Sequence, residues 1–323
     1  MKKVLLLFGG VSNEHEVSCK SAKSIMNNID ISLFDVTMVG ISKDNKWYIY
    51  EDDINLLDDW INKKTTLIDN IVTFIKQFDI VFPIIHGNDG EDGKLQGFLE
   101  LFDIKYIGCN VISSSIGMDK EYSKIIFDSL NIPTTPYIVI KSVKEIKKVL
   151  DNFDFPIIIK PCNSGSSIGV SLANNKKELI KGINEALEID SKVLIEQYIN
   201  GKELECAILE DKKIIVSDIG EIVSANTFYD YDAKYNKDSI TLIPANIPKN
   251  IKKQIQEYAK KAFIGLNCKG LSRLDFFYDG KNIYLNEINT LPGFTNISMF
   301  PMLMIDKGYS YKELITTIIK NEI

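Results

Sequence analysis

A chain of 323 residues is too long for one ordinary core, so two or three domains are expected. A hydrophobic share of 45% and a charged share of 25% are those of a soluble globular protein. The net charge of -6 argues against nucleic acid as a partner, because such proteins present a basic face.

The first strand is expected over residues 4–8. This apolar run is cut short by Gly9-Gly10, so it reads as a buried strand feeding a tight turn rather than a leader. No later stretch approaches the roughly 18 apolar residues of a membrane span. A helix over 18–28 and strands over 36–41 and 80–85 follow. This alternation predicts a parallel sheet with ligand loops at the carboxyl ends of its strands, and the glycine turn at 9–12 is a candidate anion cradle. In the middle third, a strand over 157–161, a glycine-bearing loop over 163–169 and a strand over 170–172 precede a helix over 176–187 and a strand over 193–196. That order is strand–loop–strand, which excludes the P-loop pattern of a glycine-rich turn opening a helix. The last third holds a polar, tyrosine-rich stretch at 226–238, expected to be a long loop, and a helix over 251–265. Strands over 274–278 and 283–288 then form a hairpin about Asp279-Gly280-Lys281-Asn282, and a terminal amphipathic helix covers 312–320. The five cysteines (Cys19, Cys109, Cys162, Cys206 and Cys268) form no Cys-x-x-Cys pair. A thiolate zinc site is therefore not expected, and a reducing cytoplasm suits the chain.

Three clusters carry chemistry. Strand side chains alternate faces, so Glu287 and Asn289 share one, with Asp275 on the partner strand of the hairpin. Three hard oxygen donors without imidazole or thiolate favour Mg²⁺ or Mn²⁺. The loop around Ser164-Gly165-Ser166-Ser167, beside Lys160, offers backbone N–H groups, hydroxyls and a cation to a polyphosphate. His86-Gly87-Asn88-Asp89-Gly90-Glu91-Asp92-Gly93 is a turn-rich loop at a strand end, although a lone histidine there is more often structural than catalytic. Composition adds a fourth signal: Arg273 is the single arginine among 38 basic side chains. Lysine cannot reproduce the planar fork of a guanidinium, so retention of arginine at one place points to a role there.

With these residues in view, the chain resembles the D-alanine–D-alanine ligases of the ATP-grasp superfamily over nearly its full length. The resemblance is carried by Ser12-Asn13-Glu14-His15-Glu16-Val17-Ser18, the 86–93 loop with Leu95-Gln96-Gly97, and Met118-Asp119-Lys120. It continues through Ile159-Lys160-Pro161, Gly165 to Gly169, Phe228-Tyr229-Asp230-Tyr231 with Lys234-Tyr235, Ser272-Arg273-Leu274-Asp275, and Asn286 to Thr295. It implies an α/β, three-domain ATP-grasp architecture: an N-terminal Rossmann-like parallel-sheet domain (1–117), a central ATP-grasp domain (118–200) and a C-terminal domain (201–323). The implied reaction joins two D-alanines for peptidoglycan synthesis through an acyl phosphate, with ATP and two Mg²⁺ or Mn²⁺ ions, in a cytoplasmic homodimer. The implied alternative is a ligase making D-alanyl-D-serine, of the vancomycin-resistance type, or another ATP-grasp amino-acid ligase.

The resemblance also implies roles. Lys120, Lys160, Ser167, Glu196, Glu203 and Lys234 serve the nucleotide, and Asp275, Glu287 and Asn289 the metal. Glu14, Ser166 and Tyr235 form the triad that closes the site, with residues 226–238 as its lid. Arg273 and the Gly293 N–H stabilise the tetrahedral oxyanion. His86 lies toward the first substrate and Ser298 toward the second. Met299 and Tyr231 favour a methyl side chain on the acceptor. Gln197 stands where many relatives carry lysine beside the adenine.

Overall fold

The computed structural model describes residues 1–223 and 240–323. The tyrosine-rich stretch expected to form the lid, with Tyr231, Lys234 and Tyr235, lies outside the described residues. Strands β1 (Lys2–Gly9), β2 (Phe34–Ile41), β3 (Trp47–Tyr50), β4 (Thr65–Leu67) and β5 (Ile80–Pro83) form the first sheet, in the order β4-β3-β2-β1-β5. Helices α1 (His15–Asn28), α2 (Ile71–Ile75) and α3 (Lys94–Leu101) connect or follow them. β1 runs parallel to β2 and β5, as the alternation of strand and helix predicts, but β3 and β4 add antiparallel. The link from β2 to β3 is only residues 42–46, with Asn45 at φ 59°. A parallel neighbour needs a crossover of a dozen or more residues, so this turn can only reverse the chain.

Next come α4 (Val111–Met118), α5 (Lys120–Ser129), β6 (Tyr137–Ile140), α6 (Ile146–Leu150), β7 (Ile157–Pro161), β8 (Ser171–Ala173), α7 (Lys176–Ile189) and β9 (Val193–Gln197). Their strands make a second, antiparallel sheet, β6-β9-β7-β8. α7 presents Leu179, Ile183 and Ala186, one stripe of a 3.6-residue period, to Ile157 and Ile159 of β7 and Val193 and Ile195 of β9.

The third group is β10 (Lys202–Glu210), β11 (Ile214–Val223), β12 (Ile240–Leu242), α8 (Lys249–Gly265), β13 (Leu271–Tyr278), β14 (Ile283–Asn289), α9 (Met299–Asp306) and α10 (Tyr311–Asn321). Its sheet is antiparallel in the order β12-β11-β10-β13-β14. Alternation along β10 serves two cores. Leu204, Cys206 and Ile208 face one way, into a cluster with Ile255, Ala259 and Phe263 of α8 and Phe127 of α5. Ala207 and Leu209 face the other way, into a cluster that joins Leu314, Ile315 and Ile318 of α10 to Val4, Leu6 and Phe8 of β1. The first sheet therefore completes its core with the last helix. Ile318, 1% exposed, is a direct probe of that closure. Ile318→Ala is expected to destabilise the protein by about 2–5 kcal/mol, read as a lower denaturant midpoint at unchanged slope. A shift below about 0.5 kcal/mol would show that the helix is dispensable to the core. Among the described residues, no helix is long and apolar enough to cross a membrane.

Candidate active site

A cleft lies where the three sheets approach one another. It is lined by Glu14 and Glu91 from the first unit, and by Lys120, Lys160 and Ser164 to Ser167 from the second. Glu203, Glu205, Asp275, Asn286, Glu287 and Asn289 line it from the third.

The wall on the third sheet is made by the β13–β14 ladder. Arg273 is paired with Asn289 and Asp275 with Glu287, so the hairpin brings these four residues together. A β-bulge decides which way they face. The register passes from Asp275↔Glu287 to Phe276↔Leu285, leaving Asn286 as the extra residue on β14. Ile283 and Leu285 point into the cluster under α8. Without the extra residue, strict alternation would bury Glu287 beside them; with it, Ile288 returns to that cluster and Glu287 and Asn289 face the cleft. The Arg273 fork grips Asp275, Nε donating to Oδ1 and Nη2 to Oδ2 at 2.8 Å each, and Glu205 lies 2.8 Å from the same Nε. Burial would lower the Arg273 pKa, but Asp275 and Glu205 more than offset it, so the guanidinium is held firmly charged. Asn289 Nδ2 donates to Asp275 Oδ2 at 3.0 Å, which leaves its amide oxygen as the donor atom for a cation. Two carboxylates opposed in register plus an amide oxygen, all facing a cleft, fit a hard divalent ion.

The opposite wall is cationic. Lys120 Nζ donates to the Ser164 carbonyl at 2.5 Å and lies 3.8 Å from Glu287. Lys160 Nζ donates to Asn286 Oδ1 at 3.0 Å and lies 2.6 Å from Glu196. Ser166 and Ser167 both hold positive φ, 51° and 57°, and the buried Ser166 hydroxyl has no hydrogen-bond partner among the described residues. A polar group in that position is normally satisfied, so the loop is shaped for a partner.

Glu14 comes to the cleft from the end of β1. It caps α1 by position but makes no side-chain cap bond. Gly87 holds φ 73°, a left-handed conformation that favours glycine, and a Cβ there would fall 2.7 Å from Glu14 Oε2, so a side chain would also push the Glu14 carboxylate aside. Glu91 was not singled out by sequence. Its carboxylate accepts from the Gly87 N–H at 2.7 Å and the Leu291 N–H at 3.0 Å, tying the loop to the segment after β14. Burial and the neighbouring Glu14 push its pKa up to about 8.

Other expected site residues sit differently. Glu196 is 2% exposed, with both oxygens against lysines rather than open to the cleft. His86 is buried and clamps the third unit to the first, its Nδ1 meeting the Leu291 carbonyl and its Nε2 the Ser21 hydroxyl, both at 3.1 Å. Met299 is turned into the core, where its sulfur lies 2.5 Å from where a Gly220 Cβ would be. Ser298 Oγ bonds both the Thr295 N–H (3.0 Å) and its hydroxyl (2.8 Å), and sits against Gly293. In the glycine turn after β1, the Gly9 N–H donates to Ser18 Oγ and the Gly10 N–H to the Ile41 carbonyl, both at 2.8 Å, so these two donors are not offered to an anion.

Residues 3–109 match the D-ala D-ala ligase N-terminus family and residues 126–320 the D-ala D-ala ligase C-terminus family. The chain belongs to the D-ala D-ala ligase family. Its relatives include the D-alanine--D-alanine ligase of Acetivibrio thermocellus, 44% identical over 98% of this chain and 95% of that one. That of Clostridium novyi is 42% identical over 99% and 97%. Among solved structures, the VanG D-Ala:D-Ser ligase from Enterococcus faecalis superposes with a TM-score of 0.91 at 34% identity, covering 100% of this chain and 99% of its own. The Bacillus anthracis D-alanine--D-alanine ligase complexed with ATP gives 0.79 at 28% identity, covering 100% and 97%. The architecture of this ligase is thus the ATP-grasp α/β fold of those neighbours.

Proposed function

We propose that this ligase uses ATP to join two D-alanine molecules, through an acyl phosphate of the first. The observation that carries the reading is the single cleft in which the Glu14 carboxylate, the Lys120 and Lys160 ammoniums, the serine loop and the Asp275–Glu287–Asn289 wall meet. Lys120, Lys160 and the loop's N–H groups and hydroxyls would hold the polyphosphate, with Glu203 toward the ribose. Asp275, Glu287 and Asn289 would hold Mg²⁺ or Mn²⁺, which would supply positive charge against the phosphates. Glu14 would take the ammonium of the first D-alanine, whose carboxylate oxygen attacks the γ-phosphorus as ADP leaves. The second amine then attacks the acyl carbonyl, and phosphate departs with the shared oxygen. Arg273 and the Gly293 N–H would stabilise the oxyanion between these events. No protein nucleophile is needed; orientation and fixed charge do the work. We take residues 1–117, 118–200 and 201–323 as the working units. Homodimeric assembly and residence in the cytoplasm belong to the same reading.

For the acceptor, Met299 offers no argument, since it is buried against β11. Support for D-alanine comes from relatives named for that product at 40–44% identity over nearly the whole chain. The structural likeness to a D-Ala:D-Ser ligase favours D-serine as a second reading. A phosphate-release assay with D-alanine alone, then with equal D-alanine, D-serine and D-lactate and product analysis, separates them. D-alanyl-D-alanine should dominate, with D-serine disfavoured by up to about 10²-fold. If D-alanyl-D-serine prevails, the second reading holds. If no phosphate is released with any acceptor, both fail.

A further inference from the structure

Lys124 stands one helical turn beyond Lys120 on α5, yet the two ammoniums end in different surroundings. Lys120 lines the cleft. Lys124 is 1% exposed, and its Nζ lies 2.7 Å from Glu196 Oε1 and 2.8 Å from Thr135 Oγ1, with the Tyr137 ring 5.3 Å away. The Thr135 hydroxyl accepts from Lys124 and donates to the same Glu196 oxygen, so this corner is consistently polarised. The other oxygen, Oε2, lies 2.6 Å from Lys160 Nζ. Lys160 reaches on to Asn286 and lines the cleft. Three charges therefore stand in a row, Lys124–Glu196–Lys160, and only the last meets the cleft.

Burial would raise the Glu196 pKa, but the two ammoniums overcome it and hold the carboxylate charged. A carboxylate facing one ammonium makes a neutral pair. Facing two, it leaves one positive charge over, and of the two ammoniums Lys160 is the one that lines the cleft. We propose that Lys124 is a positioning residue for the nucleotide: by occupying Glu196 from behind, it leaves the Lys160 charge available to a polyphosphate in the cleft. The inference rests on the reading that the cleft binds ATP. Without Lys124, Glu196 would have a single cation to satisfy, and both its oxygens would compete with the phosphates for Lys160.

Calorimetric titration with a non-hydrolysable ATP analogue, and with adenosine as a phosphate-free control, tests this. Lys124→Met should weaken analogue binding by about 10- to 100-fold, the scale of a lost charged hydrogen bond, and leave adenosine binding within about twofold. Adding Glu196→Gln to that variant should recover most of the loss, because it removes the competitor. Equal losses for analogue and adenosine, or no recovery in the double variant, would overturn the proposal and make Lys124 a core-filling residue. Should Lys124→Met fail to fold, Glu196→Gln alone decides. It should bind the analogue more tightly than wild type if Glu196 competes with phosphate for Lys160, and more weakly, against the proposal, if Glu196 is a strut. A wild-type protein that binds neither compound would instead remove the nucleotide reading on which the inference stands.

Discussion

Arg273→Lys should lower turnover by about 10²–10³-fold, the usual effect of removing one oxyanion donor. Charge is conserved in this variant; what disappears is the fork. Arg273 reaches both Asp275 oxygens at 2.8 Å with two different nitrogens while holding Glu205 at 2.8 Å. An ammonium is a point charge on a flexible stem and cannot hold both carboxylates in plane. The loss should appear in kcat for a variant whose melting temperature stays near that of the wild type. A rate within about threefold of wild type would reduce Arg273 to a clamp on its neighbours and leave the oxyanion to other donors.

Glu287→Gln should be comparably severe, with a loss of at least about 10²-fold and a magnesium midpoint moved to higher concentration. The change is isosteric, so packing around β14 should survive. It would remove one of only two anionic donors in the proposed set, whose third member is the neutral amide of Asn289. Excess EDTA should abolish turnover of the wild type. A magnesium titration identical for variant and wild type, or full turnover in EDTA, would move the metal away from this wall.

Much of that wall was legible because it rests on local periodicity. Alternation over residues 274–278 and 283–288, with a turn signal between, was enough to put Asp275 across from Glu287 and Asn289. The bulge at Asn286 was not legible, since its position depends on the register of the partner strand. Lys124 does not stand out in the sequence from the other helix lysines; its burial is set by Thr135 and Glu196, distant in sequence. Its spacing of four from Lys120 was the one available hint. His86 and Met299 were read by type and neighbourhood, whereas their directions are set by Leu291 and Gly220. The antiparallel edge β3–β4 was missed for a simpler reason: strand and helix alternation says nothing about a link as short as residues 42–46. Glu91 was visible only as one acid in a loop of several, and its hold on the Leu291 N–H spans 200 positions.

The core shared by β1 and α10 bears on how the chain can be made. The first strand leaves the ribosome on the order of tens of seconds before the last helix, at ordinary elongation rates. During that interval the faces of Val4, Leu6 and Phe8 lack Leu314, Ile315 and Ile318, their eventual cover. The nascent N-terminal sheet is therefore not an independently finished domain. Emergence of α10, not of the first third, should mark the point at which the N-terminal sheet becomes protease-resistant.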